Sequence, residues 1–421
     1  MFGRKRKKSR KASSVEDGNI RANIWNGVFA SINGNMVNNF LGIYARDLGA
    51  SSFQFGLLTS LPALVTTFTI LPGLPLVERL KDKTRFTAAM ALAGRLFYLL
   101  FALASFFQPS VWLLLLFVAL AALPNAWSGL SWTALIGESI SQEKRAMAFS
   151  ARNRLIAILG ILATMAAGQV MEVLAFPWSY RVVFVSAFLF ALFEIYTLLL
   201  LKPITLETIP ASRVGVGQLI RSNPPYRQFL VGSLLFQVGF QFALPLFTIY
   251  TLRDLGASPI WVSLIVIVSG VAQVAAYPLW ARWNHRFGGI VPLVWSLILL
   301  SLNPLLYASV NLLWPLLLFN LISGFGWSGF NLISFNTLLE SCPLGARERG
   351  VAIYNLFMSL TAILLPLLGV VLADWIGIRW ALAVGAALRL GGAVYFISTS
   401  RGHFGAFLLP KGFSIKKRTL V

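Results

Sequence analysis

The chain has 421 residues, of which 57% are apolar and only 12% are charged. Soluble domains are about 45–50% apolar and about 25% charged, so this composition excludes an ordinary water-soluble protein. The net charge of +21 does not indicate nucleic-acid binding, because the basic residues stand in short clusters between long apolar runs.

The first apolar stretch begins near Ala22, after a basic run over residues 4–11. It is too long for the core of a signal peptide, and no small-residue cleavage site follows it. We therefore expect a first membrane span, preceded by a cytosolic tail over residues 1–21. That tail either is solvated or binds anionic lipid headgroups.

The remaining apolar runs are long enough to cross a membrane, which takes about 20 residues of helix. The sequence predicts twelve spans, near residues 22–45, 53–77, 86–107, 110–136, 147–172, 180–201, 228–252, 260–281, 289–309, 312–338, 350–373 and 380–399.

The side of each loop follows from its Lys and Arg content. With the N-terminus inside, the basic clusters all fall in the cytosol, and the outer side holds only Arg46, Arg181, Arg253 and Arg379. We therefore predict both termini in the cytosol and a location in the plasma (inner) membrane. The longest internal loop, 202–227, divides the chain into six-span halves at 22–201 and 228–400, and a basic tail follows at 401–421.

The two halves repeat each other in sequence. The first span ends in an Arg-Asp-Leu-Gly-Ala-Ser block at residues 46–51, and the seventh ends in the same block at residues 253–258. Further matches follow in order, such as Trp127-Ser128-Gly129 with Trp327-Ser328-Gly329. A repeat of an even number of spans gives two copies inserted in the same sense.

With these features the chain resembles the major facilitator superfamily over residues 20–400. The family's basic loop between the second and third spans corresponds here to Gly73, Glu78-Arg79, Lys81-Asp82-Lys83 and Arg85. The resemblance implies an all-α membrane fold of two six-helix bundles related by a pseudo-two-fold axis. It also implies alternating access by rocking of the bundles, with a substrate bound between them near mid-membrane.

Polar side chains within spans are costly, so each needs a partner or a wet cavity. One face of the first span is small or polar at positions 27, 31, 35, 38 and 42, and the matching face of the seventh span is similar. In the family these two spans line the central cavity. The alternative is close helix packing through amide hydrogen bonds. The candidate substrate-binding residues are Asn35, Asn38, Trp127, Gln237, Gln241, Gln273, Trp327 and Asn331.

Charged residues occur inside three spans that the family uses as outer supports. Arg95 lies about 16 Å from the cytosolic edge and Glu194 about 10 Å, at a rise of about 1.5 Å per residue. An arginine side chain can bridge that difference, so we predict a structural ion pair between them. Arg389 has no evident partner. Near the cytosolic ends of the helices, a further set of charges is predicted to form gating ion pairs: Arg79, Glu138, Arg145, Arg282, Glu340 and Arg349.

We interpret the chain as a monomeric secondary active or facilitative transporter of a small molecule, embedded in the lipid bilayer. Import of a neutral polar solute and efflux of drugs or metabolites both fit, and coupling to protons or ions stays open. A non-transporting receptor is a further alternative. A membrane-embedded enzyme is disfavoured because two histidines and one cysteine, Cys342, offer no catalytic cluster. We expect no metal and no cofactor.

Overall fold

The structure is a computed structural model that describes residues 2–107, 110–203, 216–343 and 347–400. The side chains of residues 2–14 and of several positions inside helices, Arg145 among them, lie outside this description. The predicted tail 401–421 and residues 204–215 of the predicted loop 202–227 also lie outside it.

The described residues are almost entirely helical, with short 3₁₀ and π turns at Ala104–Phe106 and Tyr250–Asp254. The α-helices are α1 (Phe2–Asn38), α2 (Leu41–Asp47), α3 (Ser52–Arg79), α4 (Lys83–Leu103), α5 (Ser110–Ser139), α6 (Gln142–Val173), α7 (Trp178–Leu199), α8 (Val216–Ser222), α9 (Pro224–Ile249), α10 (Pro259–Phe287), α11 (Ile290–Ala308), α12 (Trp314–Ser341), α13 (Arg347–Ile376) and α14 (Ile378–Thr399).

Side-chain caps mark where α3 and α4 begin. Ser51 and Gln54 form a reciprocal capping box at the start of α3. Asp82 Oδ1 accepts a hydrogen bond from the backbone N–H of Arg85 at 2.9 Å and so caps α4. These carboxylates and hydroxyls satisfy N–H groups that have no partner within the helix. The chain can therefore reverse direction sharply at both ends of the bundle.

Eleven of the described helices are long and apolar enough to cross a membrane. Helix α1 is not among them, because asparagine recurs along it at positions 19, 23, 26, 33, 35 and 38. It packs along α6 and α7 within the first half, and together with α2 it supplies the first of the twelve predicted membrane helices. The predicted first span is interrupted at Asn39-Phe40, and the seventh begins at Pro224 rather than at residue 228.

The apolar core differs between the two ends of the molecule. At the end that carries Arg46, hereafter the Arg46 end, one cluster combines both halves and includes Phe40 and Leu246. At the opposite end, hereafter the Lys83 end, each half has its own cluster, built around Leu135 in the first half and Trp280 in the second. The halves are therefore fused at one end and separate at the other.

Candidate functional site

The repeated Arg-Asp-Leu-Gly-Ala-Ser blocks meet at the Arg46 end. Arg46 Nη1 donates a hydrogen bond to the carbonyl oxygen of Ala257 at 2.8 Å. In the reverse direction, Arg253 donates to the carbonyl oxygen of Ala50 and, at 2.9 Å, to Ser52 Oγ. Each arginine therefore binds the turn of the other copy. We call the four residues Arg46, Ala50, Arg253 and Ala257 the arginine seal.

Glycine shapes both turns of the seal. Gly49 and Gly256 have φ values of 86° and 65°, a left-handed conformation that other residues rarely adopt. The turn points the carbonyl oxygen of the next residue, an alanine in both copies, toward the other half. Asp47 holds Arg46 in place through a 2.8 Å contact between Arg46 Nε and Asp47 Oδ1.

Helix packing continues the contact below the seal. Ser263 Oγ on α10 donates to the carbonyl oxygen of Thr164 on α6 at 3.2 Å, and α3 packs against α13 beside Gly56. Within the described residues, every hydrogen bond and ion pair that joins the halves lies in the part of the molecule nearest the Arg46 end. The structure is thus closed at that end.

A cavity of about 210 Å³ lies between the halves just below the seal. Asn38 of α1 and Asn39, in the turn that follows it, line one side of this cavity, and Thr248, Thr251 and Tyr307 of the second half line the other. Asn38 is exposed to this space. Asn39, Thr251 and Tyr307 were not predicted as site residues, although Asn39 directly follows Asn38 in sequence.

A larger cavity of about 660 Å³ lies within the first half and meets the first one at Asn38. Its walls come from α1 to α7 and hold three charged side chains, those of Arg95, Arg152 and Glu194. Arg152 was missed at the sequence level, because it stands close to the end of a predicted span and resembles an ordinary cytosolic charge.

The Arg95–Glu194 pair is bidentate. Arg95 Nε lies 3.1 Å from Glu194 Oε2, and Arg95 Nη2 lies 3.1 Å from Glu194 Oε1. Asn33 Nδ2 donates to Glu194 Oε2 at 2.7 Å, and Arg95 Nη1 donates to Asn125 Oδ1 at 2.9 Å. The pair therefore joins α4 to α7 and draws in an amide from α1 and another from α5.

The comparisons with known proteins agree with this architecture. The sequence model described as Major Facilitator Superfamily matches residues 24–244 and, in a second copy, residues 229–407. The chain belongs to the major facilitator superfamily. The family and the all-α twelve-helix fold predicted from the sequence are thereby confirmed, and the protein is a multi-pass membrane transporter.

Solved superfamily transporters share the fold. A mutant of the nucleoside transporter NupG has a TM-score of 0.70 at 12% identity, over 91% of this chain and 100% of that one. A bacterial homologue of the human lysosomal transporter Spinster, inward-facing and occupied, has a TM-score of 0.66 at 13% identity, over 91% of this chain and 96% of that one. The unoccupied inward-facing form of that homologue has a TM-score of 0.62 at 14% identity, over 93% of this chain and 97% of that one. At these identities the likeness shows the fold alone. No curated protein matches the chain by sequence at a significant level.

Among the predicted substrate-binding residues of this superfamily member, Asn35 lies in a helix contact. Its Nδ2 donates to Ser31 Oγ at 3.2 Å, and its Oδ1 accepts from Asn39 Nδ2 at 3.2 Å. Asn39 also donates to Thr164 Oγ1 at 3.0 Å. This chain of hydrogen bonds ties α1 to α6, as expected for amides that pack membrane helices.

The two predicted tryptophans lie in packing contacts. Trp127 Nε1 donates to the carbonyl oxygen of Thr69 at 3.1 Å and its ring covers Gly73, so it holds α5 against α3. Trp327 is half-buried, with Phe240 at 5.1 Å between ring centroids. In the second half the two residue types are exchanged between the helices: the tryptophan, Trp280, is on the earlier helix α10 and covers Gly329 of the later helix α12.

The predicted glutamines of the second half differ in burial. Gln241 is 9% exposed, and its Oε1 has no hydrogen-bond partner among the described residues. Gln237 and Gln273 are half-buried, and Asn331 is exposed. Within the described residues, none of the four lines either cavity.

The predicted gating charges whose side chains are described do not pair with one another in this structure. Glu138 pairs with Lys83 of its own half, not with Arg79, because Lys83 opens the helix that packs beside α5. Among the described side chains, Glu340 forms no ion pair with Arg282 or Arg349. The side chain of Arg145 lies outside the described part. Only a pair that joins the two halves, such as Glu138 with Arg349, needs the halves to meet at the Lys83 end, where each half has its own core.

Arg389 is 3% exposed on α14. Its guanidinium donates to the carbonyl oxygens of Leu300, at 3.0 Å, and Gly239, at 3.4 Å. The rings of Phe240 and Phe247 each lie 5.2 Å away. The charge of Arg389 is therefore stabilised by backbone carbonyls and aromatic faces, whereas that of Arg95 is stabilised by the carboxylate of Glu194.

Proposed function

We propose that the protein is a secondary transporter that carries a small molecule by alternating access between its two halves. The observation that carries this proposal is the asymmetry of the core, which both halves share at the Arg46 end and which is separate in each half at the Lys83 end. Two rigid halves that close at one end can rock about that contact and open it while the other end closes.

The Lys83 end faces the cytosol in this proposal, so the structure corresponds to an inward-open state. The charge asymmetry supports it. The Lys83 end carries the basic run 4–11 and the cluster Arg79, Lys81, Lys83 and Arg85, whereas the Arg46 end carries few basic residues. Basic loops are retained in the cytosol. Both termini are then cytosolic, and the plasma (inner) membrane is the proposed location.

The substrate site lies between the halves, around Asn38. Asn38 is exposed to the inter-half cavity and also lines the cavity of the first half. Thr248 and Tyr307 offer hydroxyl groups from the second half. Gln241 Oε1 has no hydrogen-bond partner among the described residues, but Gln241 lines neither cavity. We retain Asn38 as a ligand, and we assign Asn35, Trp127 and Trp327 to helix packing.

Import of a polar solute and efflux of an amphipathic compound both use this geometry. The nucleosides named for NupG remain a property of that protein, because 12% identity carries no substrate assignment. The described inter-half cavity is lined by no carboxylate, and the one carboxylate of the adjoining cavity, Glu194, is bound by Arg95 through both oxygens. This arrangement favours facilitated movement over proton coupling. Transport would then be insensitive to an imposed pH gradient. We propose a monomer as the functional unit.

A disulfide across the closed end tests alternating access. A Cβ placed on Gly42 would lie 2.8 Å from Thr248 Cγ2 in the other half, so Gly42→Cys with Thr248→Cys should cross-link in a Cys342→Ala background. In liposomes, oxidation should stop flux and a reductant should restore it, whereas oxidation should not change the flux of either single-cysteine variant from its own reduced value. Flux that continues in the fully cross-linked protein would refute rocking about this contact.

Labelling of the tails tests the orientation. Single cysteines at Ser9 and Ser414, in the same Cys342→Ala background, should both resist an impermeant maleimide in intact cells and react after permeabilisation. Reaction of either position in intact cells would overturn the inward-open assignment, because the Lys83 end would then face outward.

A further inference from the structure

One cation in the 660 Å³ cavity has no acidic partner. The lining charges are Arg95, Arg152 and Glu194, and both oxygens of Glu194 are engaged by Arg95. Arg152 forms no ion pair with any described residue. The charged residues of the cavity wall therefore sum to one positive charge, located at Arg152.

The structure holds Arg152 in a fixed position. Its guanidinium carbon lies 5.0 Å from the centroid of the Trp132 ring, and its Nε donates to the carbonyl oxygen of Asn23 at 3.3 Å. Gly27 provides the space for it, because a Cβ at that position would lie 2.3 Å from Arg152 Nε. The side chain is thus packed on α1 and α5, unlike a solvated surface arginine.

Polar groups without partners surround the same point. Trp132 lines the cavity, and its buried Nε1 has no hydrogen-bond acceptor among the described residues. Asn23 is 0% exposed, and neither its Oδ1 nor its Nδ2 has a partner there. Indole and guanidinium groups only donate hydrogen bonds. A ligand that suits them supplies acceptor atoms, and the uncompensated charge favours a negative one.

The rest of the cavity suits an apolar body. Its walls include Pro62, Val118, Ala122 and Leu198, and its volume lies within the roughly 300–1,000 Å³ of small-molecule sites. We propose that the transported substrates are small amphipathic monoanions, such as organic carboxylates, whose anionic group binds Arg152 and Trp132. This inference rests on the proposed transport function and specifies its substrate class.

The charge of the cavity can be probed without knowing the ligand. Ala126 lines the cavity, and an Ala126→Cys variant in the Cys342→Ala background can be modified by anionic MTSES or cationic MTSET. After normalisation to a free thiol in solution, MTSES should react faster. Arg152→Gln should lower the MTSES/MTSET ratio about tenfold or more, given unit charges within roughly 10 Å. Arg152→Lys and the neighbouring exposed Arg154→Gln should preserve the ratio, and an unchanged ratio in Arg152→Gln would refute the inference.

Binding is tested with acids and their neutral amides at pH 7, namely benzoate with benzamide, phenylacetate with phenylacetamide and octanoate with octanamide. In an uncharged detergent, at least one acid should raise the thermal midpoint of the purified protein when its amide does not. Arg152→Gln should abolish that difference and Arg154→Gln should preserve it. Gly27→Ala, which keeps every charge but displaces the guanidinium, should weaken it.

The contrary outcomes are distinct. If no acid exceeds its amide, or if the acid effect survives in Arg152→Gln, the inference is wrong. If phosphatidylglycerol in the membrane abolishes the acid effect, Arg152 binds a lipid headgroup and the inference is equally wrong. In these cases the proposed transport function can still hold. It is supported if the protein carries a neutral solute and the Gly42–Thr248 cross-link stops that flux. If flux continues in the cross-linked protein, the proposed alternating-access transport is refuted. Acid binding at Arg152 can still be measured in that case.

Discussion

Arg46 donates a hydrogen bond to the carbonyl oxygen of Ala257, 2.8 Å away, and so joins the end of the first membrane helix to the turn that follows the seventh. The repeat makes the bond reciprocal, because Arg253 binds Ala50 in the same way. A duplicated block that binds its own copy explains why both copies keep the same residues, since each supplies a donor and an acceptor.

Removal of one arginine from the seal should favour opening at the Arg46 end. A hydrogen bond from a charged donor contributes about 1.5–3 kcal/mol, and about 1.4 kcal/mol corresponds to a tenfold change in population. We expect Arg46→Ala or Arg253→Ala to lower the yield of the Gly42–Thr248 cross-link and to increase labelling of Asn38→Cys from outside. Exposed Arg154→Gln is the matched control. Equal cross-linking in all these variants would show that the seal contributes nothing to closure.

A bulky residue at Gly168 should have the same effect by a steric route. A Cβ there would lie 2.0 Å from Ser263 Oγ and 3.3 Å from the Pro259 carbonyl oxygen, so Gly168→Val should push α6 away from α10 and hold the Arg46 end open. Gly391→Val is the control, because a Cβ at Gly391 meets nothing within 4 Å. The measurement is the distance between spin labels across the Arg46 end. An unchanged distance in Gly168→Val would show that the close approach of α6 to α10 at Gly168 does not keep the Arg46 end closed.

The Arg95–Glu194 pair should be costly to break on one side only. Loss of one partner from a buried pair costs about 3–5 kcal/mol, because the remaining charge stays buried without compensation. We expect Arg95→Met and Glu194→Met each to lower the thermal midpoint strongly, and the double variant Arg95→Met with Glu194→Met to recover much of the loss. Arg85→Met, which breaks the exposed Asp82–Arg85 pair, should have little effect.

Two results would contradict this role. Single variants as stable as the parent protein would mean that the pair is idle. A double variant that loses as much as both single variants together would show that the two side chains act independently.

Much of the fold could be predicted because the membrane imposes it. Span length, loop charge and the repeat depend on local composition, and the depths of Arg95 and Glu194 followed from helical rise alone. The partner of Glu138 was not predictable in the same way, because several cations lie near each helix end and the conformational state decides which one is within reach. The sequence also could not distinguish a tryptophan that faces a cavity from Trp127, whose indole N–H binds a backbone carbonyl.

Asn38 and Arg152 carry the two proposals, and only Asn38 could be predicted from the sequence. Asn38 was predicted from the face it shares along the first span, and it does line the cavities. Arg152 was not predicted, because its significance depends on its three-dimensional surroundings, where the one acid of the cavity, Glu194, is bound by Arg95. Spacing along one helix carries no information about which cation a carboxylate on another helix binds.

The carboxylate of Glu16 should make stability at the Lys83 end depend on pH. Glu16 Oε1 accepts a 2.8 Å hydrogen bond from the backbone N–H of Ser141, where α6 begins, and Lys144 Nζ lies 3.2 Å from Glu16 Oε2. The hydrogen bond from Ser141, and then the charge of Lys144, lower the pKa of Glu16 from its ordinary value of 4.5. A group with a lowered pKa stabilises the folded state above its unfolded pKa, and that contribution is lost as the pH falls through the folded value.

We therefore expect Glu16→Gln to lower the thermal midpoint at pH 7 and to make no difference once the pH is well below 4.5, where the parent carboxyl is also protonated. Asp17→Asn, which removes only the exposed contact of Asp17 with Lys144, is the control and should have a smaller effect at pH 7. The measurement is the difference in midpoint between parent and variant across this pH range. A difference that stays constant with pH would mean that the ionised carboxylate of Glu16 does not stabilise the junction of α1 with α6.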